Sequence, residues 1–188
     1  MTVAVEIKGL KEAEKFLKMF PEEARRVHTL ALNRAAVNAK TAAVQGITET
    51  YTITPAAVLK DLSLHRATKN NPVAIFRSSG RPRSLGHFNT TPGFVLTSPK
   101  SGFFTQVIRG QGGALSSDYF WLRFKSGFTS LFRRTGKGKS ALDPAASVST
   151  PQMVGHPAVQ KRVERTAVET LEKVFMLGMQ KAILRRAQ

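Results

Sequence analysis

Hydrophobic and polar positions change period several times along this chain. In "TVAVEIKGL", Val3, Val5 and Ile7 share one face and Ala4, Glu6 and Lys8 the other, which predicts a half-buried strand stopped at Gly9. Leu10, Ala13, Leu17 and Phe20 then fall near helical spacing and predict a first helix. Pro21 suits a first helical position, and Glu22 and Glu23 complement a helix N-terminus, so a second, longer helix is expected to start there. Along it Ala24, Val27, Ala31, Ala35 and Ala39 form one stripe, small enough to let another element approach closely. Thr54 and Pro55 read as the cap and first residue of a short helix. Leu62 and Leu64 alternate with Ser63 and His65, "KNNP" makes a turn, and Val73 to Arg77 returns as the second strand of a hairpin.

From Ser78 to Gly102 the chain is dense in Gly, Pro, Ser and Thr, with "FVLT" a candidate strand inside it. "FFTQVI" is a better strand, ended by "RGQGG". "YFWLRF", "KSG" and "FTSLFRR" predict another hairpin with Gly127 in its turn. "TGKGKSALDPAASVSTPQMVGHP" shows no period. After Pro157 the pattern is clearest: Val159, Val163, Ala167, Leu171, Phe175, Gly178 and Ala182 lie on one helical stripe. Glu169 precedes Lys173 by four positions, and Arg185 and Arg186 suit the helix C-terminus. The order predicts an α+β fold: an antiparallel sheet packed against a long N-terminal helix and a long C-terminal helix. No repeat or linker interrupts it, so a single domain over 1–188 is expected, with extended loops about 78–102 and 135–156. Loops of that length usually carry function or lack order.

Charge alters this picture. The 188 residues carry a net +17. Residues 1–60 hold nine Lys/Arg against six Asp/Glu, residues 61–140 thirteen against two, and residues 141–188 seven against four. The middle therefore holds most of the excess, a field that attracts polyanions and acidic protein surfaces alike. No run of eighteen apolar residues predicts a membrane span, and the N-terminus lacks a secretory pattern, so synthesis in the cytoplasm is expected. Cysteine is absent, which removes disulfide and thiol chemistry.

Catalytic constellations find little support. His28, His65, His87 and His156 show no metal-ligand spacing. Between residues 62 and 142 the one acid is Asp118, whereas a two-metal nuclease or a glycosidase needs converging carboxylates. "RTGKGKS" is not a phosphate-binding loop: Gly136 and Gly138 are two apart, and Asp143-Pro144 stands where a helix should start. No enzyme activity and no cofactor are expected. The candidate protein-interface or polyanion-binding residues are Arg77, Arg81, Arg83, Arg123, Lys125, Arg133, Arg134, Lys137 and Lys139. Phe124, Phe128 and Phe132 interleave with them and would stack nucleobases if exposed, or belong to the core if not.

"IKGL" at Ile7–Leu10 and "ALNRAA" at Ala31–Ala36 are similar to the opening of the tailed-phage minor tail protein Z (tail completion protein) family. A basic hairpin ("LHRATKNNPVAIFRSSG") follows, then an F-x-x-x-x-K-x-G turn within Phe120–Arg134, a Gly/Lys segment at Gly136–Lys139, a Pro-flanked loop and a basic C-terminal helix. The likeness covers nearly the whole length; the Gly/Ser-rich middle between Ser78 and Tyr119 is longer than the family's, and the family's Pro after the Lys/Arg segment is shifted, with Pro144 nearest. The resemblance implies a neck/tail-completion-like fold and a structural, non-catalytic virion role at the head-proximal end of a phage tail. It implies a homo-oligomeric ring, expected as a hexamer, touching a tail terminator or tail tube protein and a head-tail connector protein. Contact with genomic DNA stays open, and a basic nucleic-acid-binding module is the alternative.

Overall fold

In a computed structural model the chain is described over residues 18–19, 21–95, 99–136 and 141–186. The expected N-terminal strand and nearly all of the first helix lie outside the described residues; Lys18 and Met19 are helical. The described elements are α1 (Pro21–Thr50), α2 (Pro55–Leu59), β1 (Leu62–His65), β2 (Ile75–Ser78), a 3-10 turn (Leu85–His87), β3 (Asn89–Thr91), β4 (Phe103–Ile108), β5 (Gln111–Leu115), β6 (Tyr119–Arg123), β7 (Thr129–Arg134), β8 (Leu142–Pro144), α3 (Thr150–Val154) and α4 (Pro157–Arg186). The protein is α+β, with antiparallel strands, a long N-terminal helix and a long C-terminal helix. The strands do not make the single sheet that the element order suggested. They form three small sheets, β1-β2, β3-β4-β5 and β6-β7-β8.

The chain folds into two compact units, Met1–Val44 with Leu62–Ser79 and Val154–Gln188, and Gln45–Asp61 with Gly80–Met153. The first is built from helical stripes. Ala24, Val27, Ala31 and Ala35 of α1 share a buried cluster with Leu171, Phe175 and Met179 of α4. The small side chains of α1 let the helices close in, and a Cβ added at Gly178 would stand 2.6 Å from Val27 Cγ1. Asn38 Nδ2 donates to Thr170 Oγ1 at 3.1 Å, tying the same two helices. On α4, Glu169 pairs with Arg165 at 3.6 Å, an exposed contact of small energetic weight.

The β1-β2 hairpin belongs to this unit and keeps its expected alternation. Leu62, Phe76 and Ser78 are buried on one face; Ser63, His65 and Arg77 are exposed on the other. Thr68 N donates to Asn71 O at 2.8 Å, closing the predicted turn. Asn33 of α1 clamps the loop, donating to Ala67 O at 3.0 Å and accepting from Ala67 N at 2.7 Å.

In the second unit, Thr54 holds extended geometry ahead of Pro55 and α2, as a cap should, although its side chain makes no capping bond. Arg109 Nε donates to Thr48 O at 2.9 Å, a cation placed against the last turn of α1. β5 lies where the glycines of "RGQGG" were expected only to end a strand. Gly110, at φ +79°, turns the chain back, and the Phe104 ring of β4 covers Gly112 so closely that an added Cβ would meet Phe104 Cζ at 2.1 Å. The glycine is the seat of the ring, which offsets its poor strand propensity. Phe94 and Val95 of the candidate strand "FVLT" are not in a strand, and Leu96 and Thr97 lie outside the described residues. The described residues of the two expected loops include secondary structure: the 3-10 turn and β3 in the first, β8 and α3 in the second. Their backbones also join, with Ser147 N donating to Arg83 O at 2.7 Å and Leu85 N to Ala145 O at 2.8 Å. Among the described residues no helix is long and apolar enough to cross a membrane.

Candidate functional site

The β6-β7 hairpin positions most of the predicted cations. Its register pairs Tyr119 with Arg133, Trp121 with Leu131 and Arg123 with Thr129 on one face. Phe120 with Phe132 and Leu122 with Ser130 make up the other. Because successive strand residues point to opposite sides, Arg133 and Arg134 separate: Arg133 joins Arg123's face, and Arg134 joins that of Phe120 and Phe132. A contiguous basic run in sequence is therefore divided between two surfaces.

Each of these guanidiniums lies on a ring. Arg123 Cζ is 4.3 Å from the centre of Phe94, Arg133 Cζ 5.7 Å from Tyr119, and Arg134 Cζ 5.5 Å from Phe120. Exposed cation–π contacts of this kind contribute about 0.5–1 kcal/mol each. They fix the guanidinium plane and leave N–H edges free to meet carboxylates or phosphates. Arg133 also approaches Asp143 at 3.7 Å across the β7-β8 pair. Lys125 is exposed in the hairpin turn, where Phe124 N donates to Phe128 O at 2.8 Å and Gly127 takes φ +83°.

The Phe120–Phe132 face opens on a cleft of about 730 Å³. Phe124, Phe128, Phe132, Pro144 and Ala146 supply its apolar lining, and Asp61, Arg81, Arg83, Ser84 and His87 its polar lining. The three phenylalanines divide between the two roles the sequence left open. Phe132 is buried at 6%, whereas Phe124 and Phe128 remain 42% and 44% exposed. Phe124 stacks on Phe128 at 6.0 Å and meets Phe132 edge-on at 5.5 Å.

Behind the wall lies a network that sequence spacing gave no sign of. Arg83 Nη2 donates to Asp61 Oδ2 at 2.5 Å and to Ala57 O at 2.7 Å, and the Thr150 hydroxyl donates to Asp61 Oδ2 at 2.6 Å. Ser84 and Ser130 share a short hydroxyl–hydroxyl hydrogen bond. Arg83 is thus a structural strut of the cleft wall, while Arg81 is exposed on its rim. Arg77, on β2, belongs to the first unit, whereas the other described candidates belong to the second. Lys137 and Lys139 lie outside the described residues. Among the described residues no three His, Asp or Glu come together as a metal would require.

Two histidines carry lowered pKa values. Burial lowers His28, which packs edge-on against Phe175 at 6.3 Å. His87 is lowered by burial first, then by the charges of Arg83 and Lys60, with Asp61 opposing. Both groups bind protons more weakly folded than unfolded. Their contribution to stability is therefore complete above the ordinary value of 6.5 and is lost as pH falls below it toward the folded values. The unfolding midpoint is expected to drop between pH 7 and pH 5. His28→Gln should flatten that slope more than His87→Gln, whose ring is more open to water; equal slopes in all three proteins would refute it.

The fold and site define an α+β protein of two compact units with an aromatic, basic cleft in the second. No protein-family model, curated protein or solved structure matches the chain.

Proposed function

We propose that this chain is a structural virion protein. It completes the head-proximal end of a phage tail and joins it to the head connector as one subunit of a ring, expected as a hexamer. Its neighbours are further copies, a tail terminator or tube protein, and a connector protein. The role is docking rather than bond-making. Basic side chains meeting acidic partner surfaces give register and fast association more than raw affinity. The observation that carries this reading is the set Arg81, Arg123, Lys125, Arg133 and Arg134, all exposed on the two faces of one unit that also carries the open rings of Phe124 and Phe128. The resemblance of the motif order to that of tail completion proteins supports the setting.

The exposed Phe124–Phe128 pair also favours a second reading, a nucleic-acid-binding module, since base stacking on open rings beside cations is how single strands are held. That reading requires binding that weakens steeply with salt. A reconstruction of the tail end separates the two, with the cations facing either a protein neighbour or DNA.

A further inference from the structure

The open cleft of the second unit combines an apolar and a polar lining. Phe124, Phe128 and Phe132 with Pro144 and Ala146 supply the apolar part. Asp61 is the one acid among the described lining residues, and Arg83 and Thr150 already engage it. Arg83's charge is thereby answered, His87 is held toward its neutral form, and exposed Arg81 is left, among the described lining residues, as the cation without an acid partner. Two stacked phenylalanine rings, each more than two-fifths open to water, give the cleft an apolar surface within reach of a ligand.

The ratio of rings to free cations selects the occupant. A single strand of nucleic acid needs cations spaced along a groove to follow its phosphates. Among the described lining residues one cation without an acid partner, Arg81, accompanies three rings, and Arg123, Arg133 and Arg134 lie outside the lining, on rings of their own. An apolar tip with one or two carboxylates beside it fits better, and a cleft of about 730 Å³ is of the size that takes a drug-sized group, hence a few residues of peptide. We propose that the cleft receives a segment of a partner protein in which an aromatic or branched aliphatic side chain is flanked by carboxylates. This rests on the docking role above and names what docks.

Fluorescence anisotropy with the full chain tests it. The probes are a labelled acidic octapeptide of Glu and Asp with one central Phe, the same peptide with Ser in place of the Phe, and an oligothymidylate of equal charge. In salt above physiological strength, where exposed charges are screened beyond about 8 Å, the Phe peptide is expected to bind at least about tenfold more tightly than the Ser peptide. Phe128→Ser and Phe124→Ser, both at exposed positions, should each reduce that preference to about threefold or less, and Arg81→Gln should weaken the Phe peptide several-fold. Each variant is first checked for an unchanged melting temperature. Equal binding of the two peptides would overturn the cleft assignment while leaving docking on acidic partners in place. A preference that survives both Phe variants would also overturn it. Oligothymidylate binding more tightly than the Phe peptide, and weakened by the same variants, would replace the peptide with nucleic acid. Failure of both peptides to bind even at low salt would remove the docking role as well.

Discussion

Asp61→Ala is expected to cost about 3 kcal/mol of unfolding free energy, toward the low end for a broken buried ion pair because both partners keep some contact with water. The Arg83 and Asp61 side chains are 13% and 19% exposed, so removing the carboxylate leaves a largely buried guanidinium with only the Ala57 carbonyl to hold it. Thr150, fully buried, loses its acceptor too. Asp61→Asn keeps an acceptor for Thr150 and should cost less. Asp61→Ala combined with Arg83→Met should recover much of the loss, since apolar replacement of both partners removes the stranded charge. Denaturant titration followed by the single tryptophan, Trp121, reads this directly, because its ring lies within the same unit, edge-on to Phe103 at 6.4 Å. Gly80 belongs to the same arrangement: a Cβ there would stand 2.6 Å from Asp61 Oδ2. Because Arg83 and Ser84 form the cleft wall, Asp61→Ala should also blunt ligand discrimination by the cleft.

Phe175→Ala is expected to be the most damaging single truncation in the first unit, at about 3–5 kcal/mol. Phe175 is 3% exposed and fills the space over the alanine stripe of α1. Alanines have no side chain to swing into the cavity, and the backbone behind them is tied into a helix, so little of the void can close. Phe175→Leu should cost substantially less, because it keeps most of the apolar volume. Thermal unfolding monitored by helical circular dichroism checks the order. The same truncation should move the His28 pKa back toward 6.5, because the neighbouring ring that covers it is gone.

Where local pattern and tertiary structure agreed, the sequence was enough. The stripe Val159, Val163, Ala167, Leu171 and Phe175 is the buried face of α4, and Leu62 points inward while Ser63 and His65 point out. Both predicted hairpins are present, because turn residues and alternation named them together. β3 and β8 span three residues each, too short to show any period. β5 was hidden because it contains two glycines, of which Gly112 is explained only by a ring on the neighbouring strand. The basic residues of the site were visible as a group, but their division between two faces needed the register of β6 and β7. The Asp61–Arg83–Thr150 network joins residues 22 and 89 positions apart, a distance at which no spacing rule operates.

The central claim is that the cations of the second unit serve docking between virion subunits. Reconstruction of the head-proximal end of an assembled tail containing this chain tests it most directly. The proposed role predicts repeated copies around the tail axis, with Arg81, Arg123 and Arg133 against carboxylates of a neighbouring subunit and a partner side chain seated on Phe124 and Phe128. A particle in which those residues face solvent on every copy, or an assembled tail from which the chain is absent, would contradict it.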